Sequence, residues 1–277
     1  MGIEPTRAPA SAGASPELAE FRLREDERRA AGYARSFAPV TAQAVDAVVA
    51  RLGDPLGCVL DLGCGDGTLG AALECSGWRV LAVDRSLAMA RLASERVRVV
   101  AVADAARLPI RDGAVDAVVS AFLVPHLPAL QPALAELRRV LVSGGRLVLT
   151  SWAEPAASPF TGLVVDLVRA LGGAHAELLD ELRGRADEVR LAAELQQAGF
   201  EGIEASRITM VAEMASVSTW WKALVASSCG LGGLIQAQRA EVRRDLRGAF
   251  EAQAGLLAMP DGSVVVPATA VLLSADG

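Results

Sequence analysis

Chemistry is concentrated in one stretch, Val59 to Gly70, which reads Val-Leu-Asp-Leu-Gly-Cys-Gly-Asp-Gly-Thr-Leu-Gly. The apolar run Cys58-Val59-Leu60 leads into Asp61 and then into glycines at every second position, Gly63, Gly65 and Gly67. A helical pattern (Thr68, Leu69, Ala71, Ala72, Leu73) begins at once. This is a strand, a tight turn and a helix start. Glycines there let the backbone enter φ > 0 and let a ligand approach without a Cβ in the way. The free N–H groups of the helix start favour an acceptor or an anion. Seventeen residues beyond Gly67, a second apolar run, Val80-Leu81-Ala82-Val83, ends in Asp84. A carboxylate at that strand end can accept from both hydroxyls of a ribose, as in nucleoside-binding doubly wound folds. Together these features define a site for a nucleoside cofactor.

The spacing narrows the choice. The dinucleotide fingerprint is G-x-G-x-x-G, whereas this loop is G-x-G-x-G with an acid two residues before the first glycine. The segment Asp61-Leu62-Gly63-Cys64-Gly65-Asp66-Gly67 resembles the D-x-G-x-G-x-G signature of class I S-adenosylmethionine-dependent methyltransferases and matches it without a departure. Other segments resemble the ubiquinone- and menaquinone-biosynthesis branch of that family, methyltransferase type 11. They are Asp104-Ala105 before Leu108-Pro109, Asp116 to Ser120, the run Leu134 to Gly145, Thr150-Ser151-Trp152, and Leu195 to Phe200. The resemblance spans about Tyr33 to Ser274, and its motifs thin out after Gly202.

That resemblance implies an α/β, Rossmann-like fold: a seven-stranded, mostly parallel sheet with the last strand antiparallel and helices on both faces. It implies S-adenosylmethionine as cofactor and a small-molecule acceptor, such as a bacterial secondary metabolite, methylated on O, N or C. The branch methylates quinones, sterols, amines and many secondary metabolites, so the acceptor stays open. Carried over by position, Gly63, Cys64 and Gly65 pass the methionine end over backbone. Asp84 takes the ribose, with Arg85 and Met89 beside the adenine; Asp104 accepts from the adenine amino group, with Ala105 adjacent. Ser120, Ala121 and Phe122 flank the sulfonium, and Asp61 orients the glycine loop through its backbone amides.

Methyl transfer from a sulfonium is an in-line displacement with an activated donor. Holding donor and nucleophile together supplies roughly 7–11 kcal/mol of barrier reduction. A general base adds about 10²–10⁴-fold, or roughly 3–5 kcal/mol. Positioning is the larger effect, and the chain has only two histidines. His126 has two readings: a catalytic base for a hydroxyl, or a residue fixing its loop by a hydrogen bond. His175, in a Gly-Gly-Ala turn, reads as a surface residue. Tyr33 either contacts ligand or simply packs, and Trp152, at the end of the fifth strand, points to the acceptor side. Trp220 and Trp221 either line an apolar pocket or pack a helix on the sheet.

The elements that position these groups alternate strand and helix from Leu56 onward, which implies a parallel sheet. Strands are expected at Cys58–Leu62, Val80–Asp84, Val97–Ala103, Val115–Ser120, Leu147–Trp152, Ile203–Ala212 and Ser263–Ser274. Helices are expected at Thr68–Ser76, from the Ser86 cap to Ser94, at Leu130–Val142, and two or three within Phe160–Ala198. Pro267 suits an edge or a bulge better than a central position. Residues 1–15 are expected to be disordered and 16–277 to form a single domain. Within it, 16–54 make an N-terminal helical lid, 55–153 the cofactor-binding core, and 154–277 an acceptor-side half with a helical insertion at about 216–257. The first lid helix starts at Pro16 behind a Ser15 cap and runs towards Gly32; the second runs from a Thr41 N-cap to Leu52, stopped by Gly53.

Bulk properties exclude several classes. Of 277 residues, 52% are hydrophobic and the net charge is −6, which argues against a polyanionic nucleic-acid partner. The charge run Arg22 to Arg29 mixes signs and reads as a solvated helix face. Four cysteines, Cys58, Cys64, Cys75 and Cys229, show neither C-x-x-C pairing nor metal spacing, so no metal is expected and the thiols suit a reducing cytoplasm. No apolar run reaches membrane-spanning length, so no membrane partner is expected. Three rivals share parts of the pattern: a cyclisation catalysed on the same fold, a non-catalytic cofactor-binding partner, whose mark would be a damaged glycine loop, and a nicotinamide-dependent dehydrogenase.

Overall fold

The computed structural model describes residues 16–154, 158–171, 187–227 and 231–277. The expected disorder over 1–15, the Ser15 cap, the turn with His175, and Cys229 lie outside them. Seven strands form one sheet: β1 (Cys58–Leu62), β2 (Arg79–Asp84), β3 (Val100–Val102), β4 (Val115–Ala121), β5 (Leu141–Trp152), β6 (Glu201–Met214) and β7 (Val264–Asp276). Their order is β3-β2-β1-β4-β5-β7-β6. The first five are mutually parallel, and β7 runs antiparallel between β5 and β6. The order reverses at β1 and β4, so the carboxyl ends of those strands open a crevice where ligands bind in such sheets.

Helices α1 (Pro16–Ser36), α2 (Ala38–Thr41) and α3 (Val45–Leu52) precede the sheet; α4 (Thr68–Cys75), α5 (Leu87–Ala93) and α6 (Leu130–Val140) connect its parallel strands. Then come α7 (Pro159–Leu171), α8 (Glu188–Gln197) and, between β6 and β7, α9 (Val217–Ser227), α10 (Leu231–Gln236) and α11 (Ala240–Gly255). The insertion helices share one apolar cluster with the N-terminal helices and α7, including Phe37, Val40, Phe160, Trp220, Leu246 and Phe250. Trp220 is wholly buried there and Trp221 nearly so.

Several expectations are corrected. Thr41 is no N-cap: it ends α2, its hydroxyl donating back to the Ala38 carbonyl at 3.2 Å, and a 3-10 turn (Ala42–Ala44) separates it from α3. Pro39, which suits a first helical turn, starts the helix early. The first helix passes Gly32 and runs to Ser36, whose hydroxyl donates to the Gly32 carbonyl at 2.6 Å. The third strand shrinks to Val100–Val102, because the buried Val97 is spent packing under α4 at Gly70, and Asp104 falls two residues past its end. Helix α6 stops at Val140, since Leu141 is already extended and pairs with Val115. The pairing then jumps to Ala117 with Arg146, and the excess residues form a bend at Gly144, φ +73°.

The charge run Arg22 to Arg29 is not wholly solvated. Glu25 and Arg29 are 6% and 7% exposed and pair at 2.8 Å. Arg29 donates onward to the Val225 carbonyl of α9 and, at 3.0 Å, to Gln236 Oε1 of α10. A Cβ on Gly233 would stand 2.4 Å from Glu25 Oε2, so the glycines of α10 let that helix close on the pair.

Pro267 lies in a strand that is central by order, yet it is locally an edge. Pairing of β7 with β5 ends at Ala270, opposite Trp152, while pairing with β6 continues to Val264. Val211, opposite Pro267, gives its N–H to Gln43 Oε1 (3.0 Å) and takes Gln43 Nε2 on its carbonyl (2.8 Å). Its polar groups therefore point away from β7, and the missing N–H of Pro267 faces no ladder partner.

Candidate active site

The glycine loop is bound to the neighbouring strand before any ligand arrives. The N–H groups of Gly63 and Cys64 both donate to the Val83 carbonyl, at 2.7 and 3.1 Å. Gly63, Gly65 and Gly67 take φ of +72°, +55° and +83°, a region that favours glycine. A Cβ on Gly67 would sit 2.8 Å from the Ala93 Cα, and on Gly63 2.8 Å from Leu123 Cδ1; at Gly65 it would meet nothing within 4 Å. Two glycines therefore serve packing, and Gly65 leaves an open backbone approach.

Three carboxylates surround this loop. Asp84 Oδ2 accepts from the Gly65 N–H at 3.0 Å and Oδ1 from the Ser86 N–H at 2.8 Å, tying loop to strand end. Asp66 Oδ1 accepts from the Thr68 N–H (3.2 Å) and hydroxyl (2.8 Å), and its Oδ2 pairs with Arg96 at 2.6 Å. Asp61 is 1% exposed, and its Oδ2 has no hydrogen-bond partner. Burial first, then the Asp84 charge, push its pKa up to about 7. Burial likewise raises Cys64, so its thiol stays protonated.

A cleft opens between this loop and the N-terminal helices, with Tyr33, Thr41 and Val45 on one side and Gly65, Asp66 and Thr68 on the other. Ala121 and Phe122 close one end. Phe122 holds φ +59°, its N–H donating to the Thr150 carbonyl (3.0 Å) and hydroxyl (3.2 Å). Strain of this kind persists where surrounding contacts over-determine it, often beside a ligand. From Phe122 a row of rings leads away: Trp152 at 4.6 Å, then Phe160 at 5.3 Å, Trp220 at 6.1 Å and Phe250 at 5.1 Å.

Of the residues expected at the site, Tyr33, Asp61, Gly63, Cys64, Gly65, Ala121 and Phe122 line the cleft. Asp84 backs the loop, and Ser120 is buried with its hydroxyl on the Leu62 carbonyl at 3.0 Å. Met89 is buried in the first turn of α5, where Ser86 caps its N–H, and Arg85 is half-exposed. Asp104 is exposed and accepts from the Ala106 N–H, while Ala105 is buried in the core. His126 is half-buried at the end of a 3-10 turn (Val124–His126), and Trp152 is half-buried in the ring row.

Sequence reasoning missed Thr41, Asp66 and Thr68 in the lining, and two supports. Glu27 of α1 accepts from the Ala88 N–H at 3.1 Å, pinning that helix to the start of α5. Glu136 and Arg139 of α6 clamp the loop after β3 through Leu108 N–H (2.7 Å) and the Leu108 and Ile110 carbonyls. The Leu134 to Gly145 motif contained both residues, but no spacing rule says what they grip.

A family model described as a methyltransferase domain matches residues 60–149. The chain is 33% identical over 178 residues to the demethylmenaquinone methyltransferase of Beutenbergia cavernae, covering 60% of this chain and 73% of that protein. Against its Streptomyces griseus counterpart it is 30% identical over 191 residues, covering 64% and 80%. The solved [4+2]-cyclase SpnF shares the fold at a TM-score of 0.57 and 19% identity, covering 96% and 97% of the two chains.

The chain belongs to the class I S-adenosylmethionine-dependent methyltransferases. Within them it falls in the type 11 branch, and it is an enzyme with S-adenosylmethionine as cofactor. The observed residues suit that cation: an open backbone approach at Gly65 and an orphaned buried carboxyl at Asp61. Among the described residues no helix is long and apolar enough to cross a membrane.

Proposed function

We propose that the enzyme methylates a flat, largely apolar ring of the quinol class, with the methyl donor held in the cleft beside Gly65. One observation carries this reading: the row of aromatic rings that begins at Phe122, on the cleft, and runs through Trp152 and Phe160 under the insertion helices. Phe122, on the cleft, and the half-buried Trp152 tilted 42° against it offer apolar ring surface to a planar acceptor, and the relatives above are named for methylating demethylmenaquinone. In this reading Gly63, Cys64 and Gly65 carry the methionine end, and Asp84 takes the ribose. Arg85, Met89, Asp104 and Ala105 surround the adenine, and Ser120, Ala121 and Phe122 border the sulfonium. Tyr33 and Trp152 contact the acceptor, and His126, the imidazole among the described residues, is the polar group on the turn after Phe122.

Positioning supplies the larger share of the rate, since a bound sulfonium is already activated. The test incubates the pure enzyme with S-adenosylmethionine labelled on its methyl carbon and a short-chain demethylmenaquinol. Labelled menaquinol by mass is the expected result. No label in the quinol, but label in another organic-soluble molecule from a cell extract, would move the acceptor to secondary metabolites. Label only in protein or nucleic acid would overturn the small-molecule reading.

A further inference from the structure

Among the described residues, Phe122 is the one residue other than glycine with a positive φ, at +59°. For a bulky side chain that backbone conformation is sparsely populated and persists only where neighbours impose it. It falls just past the end of β4, and it sends consecutive side chains two ways. The Phe122 ring lies on the cleft, with Trp152 at 4.6 Å. Leu123 packs on the glycine loop, so closely that a Cβ on Gly63 would stand 2.8 Å from its Cδ1. The 3-10 turn that carries His126 follows at once.

The neighbour that grips this backbone is Thr150, wholly buried within the sheet between Ala121 of β4 and Leu272 of β7. The Phe122 N–H donates to the Thr150 carbonyl at 3.0 Å and also to the Thr150 hydroxyl at 3.2 Å. The carbonyl alone satisfies that amide, as in any parallel ladder, so no second acceptor is needed to avoid an orphaned group. Nor does the fold require a hydroxyl there. Leu147, Val148 and Leu149 precede it in β5, all buried, and a valine of similar shape would bury no polar atom. The hydroxyl instead adds direction, because two acceptors on one N–H fix the peptide plane that enters Phe122. We infer that Thr150 is a positioning residue for methyl transfer, its hydroxyl holding the Phe122 backbone left-handed so that the ring stands between donor and acceptor. The inference rests on the acceptor lying against that ring, as proposed above.

Three substitutions in the full chain test it. Thr150→Val removes the acceptor, Thr150→Ser keeps it, and Phe122→Gly takes a positive φ without help and has no ring to place. Amide hydrogen exchange at Phe122 should quicken roughly three- to tenfold in Thr150→Val and return to the wild-type rate in Thr150→Ser. The acceptor kcat/KM should fall by about the same factor, chiefly through KM, because the acceptor binds the fraction of enzyme whose ring is in place; S-adenosylmethionine affinity, read by calorimetry, should stay within about twofold. Added to Phe122→Gly, Thr150→Val should lower kcat/KM no further. Unchanged exchange in Thr150→Val, no rescue by Thr150→Ser, or an equal loss in the Phe122→Gly background overturns the inference. A Thr150→Val chain that does not fold makes the hydroxyl a requirement of the sheet and overturns it too. Turnover is measured on the acceptor that the wild-type enzyme labels, demethylmenaquinol first. A wild type that leaves the quinol unlabelled therefore fails the acceptor reading, whereas the exchange rates and the double variant decide the role of Thr150.

Discussion

At the scale of single residues, the loop is organised by carboxylates that do different work with the same chemistry. Asp84 takes two backbone N–H groups and so fixes the geometry of Gly65 against β2. Replacing it with alanine removes both bonds and the proposed ribose contact. Hydrogen bonds to charged groups are worth about 1.5–3 kcal/mol each, so Asp84→Ala should weaken S-adenosylmethionine binding by at least roughly tenfold, read by calorimetry; unchanged affinity would remove the ribose assignment. Asp61 differs in its proton affinity. Its folded-state pKa of about 7 lies above the ordinary value of 3.8, so the folded protein binds more protons than the unfolded chain between those limits. The stability of the ligand-free protein therefore falls as pH rises through that window. Asp61→Asn should melt higher relative to wild type at pH 8 than at pH 5; an equal difference at both values would show that Asp61 does not titrate in the fold.

At the scale of elements, the roof of the cleft is held by contacts remote from the ligand. Gln43, in the 3-10 turn between α2 and α3, uses its primary amide as a peptide group would and pairs with both backbone groups of Val211 on the edge strand β6. That pairing covers part of an edge otherwise open to other chains and anchors the segment that carries Thr41 and Val45. Gln43→Ala should cost about 0.5–1.5 kcal/mol, speed hydrogen exchange at the Val211 amide, and loosen cofactor binding; unchanged exchange would show that the amide pairing contributes nothing in solution. Legibility varied at this scale for physical reasons. The strands β1 and β2 and the Ser86 cap were readable because apolar runs, terminal acids and capping side chains are local signals. The bend at Gly144 and the shortness of β3 were not, because the competing partner, Val115 for Leu141 and the Gly70 surface for Val97, is distant in sequence. The glycine loop was legible in full, whereas Thr41, Asp66 and Thr68 became visible as lining only once the N-terminal helices lay across it.

At the scale of the whole molecule, two segments at opposite ends of the chain form one cover over the sheet. Arg29 of α1 reaches a carbonyl in the last turn of α9, 196 residues away, and Gln236 of α10, while Glu25 neutralises it from one helical turn back. A cation at a helix C-terminus is favourable, but taking both charges out of water costs several kcal/mol per ion, so the pair is weak grounds for stability and better grounds for specifying which helices meet. The two roles separate by mutation. Glu25→Ala strands a buried guanidinium and should cost about 3–5 kcal/mol. Glu25→Leu with Arg29→Met replaces the pair with apolar side chains and should leave stability unchanged or raise it by about 1–4 kcal/mol. The double variant nevertheless loses the bonds from α1 to Val225 and Gln236, so the insertion helices are freed to shift against α1. Thermal melts alongside steady-state kinetics test this: the double variant should melt at or above wild type and show a raised KM for the acceptor, with S-adenosylmethionine affinity within about twofold. A double variant that melts as low as Glu25→Ala would make the pair a net source of stability; one with unchanged acceptor KM would show that α1 and the insertion do not act together on the acceptor.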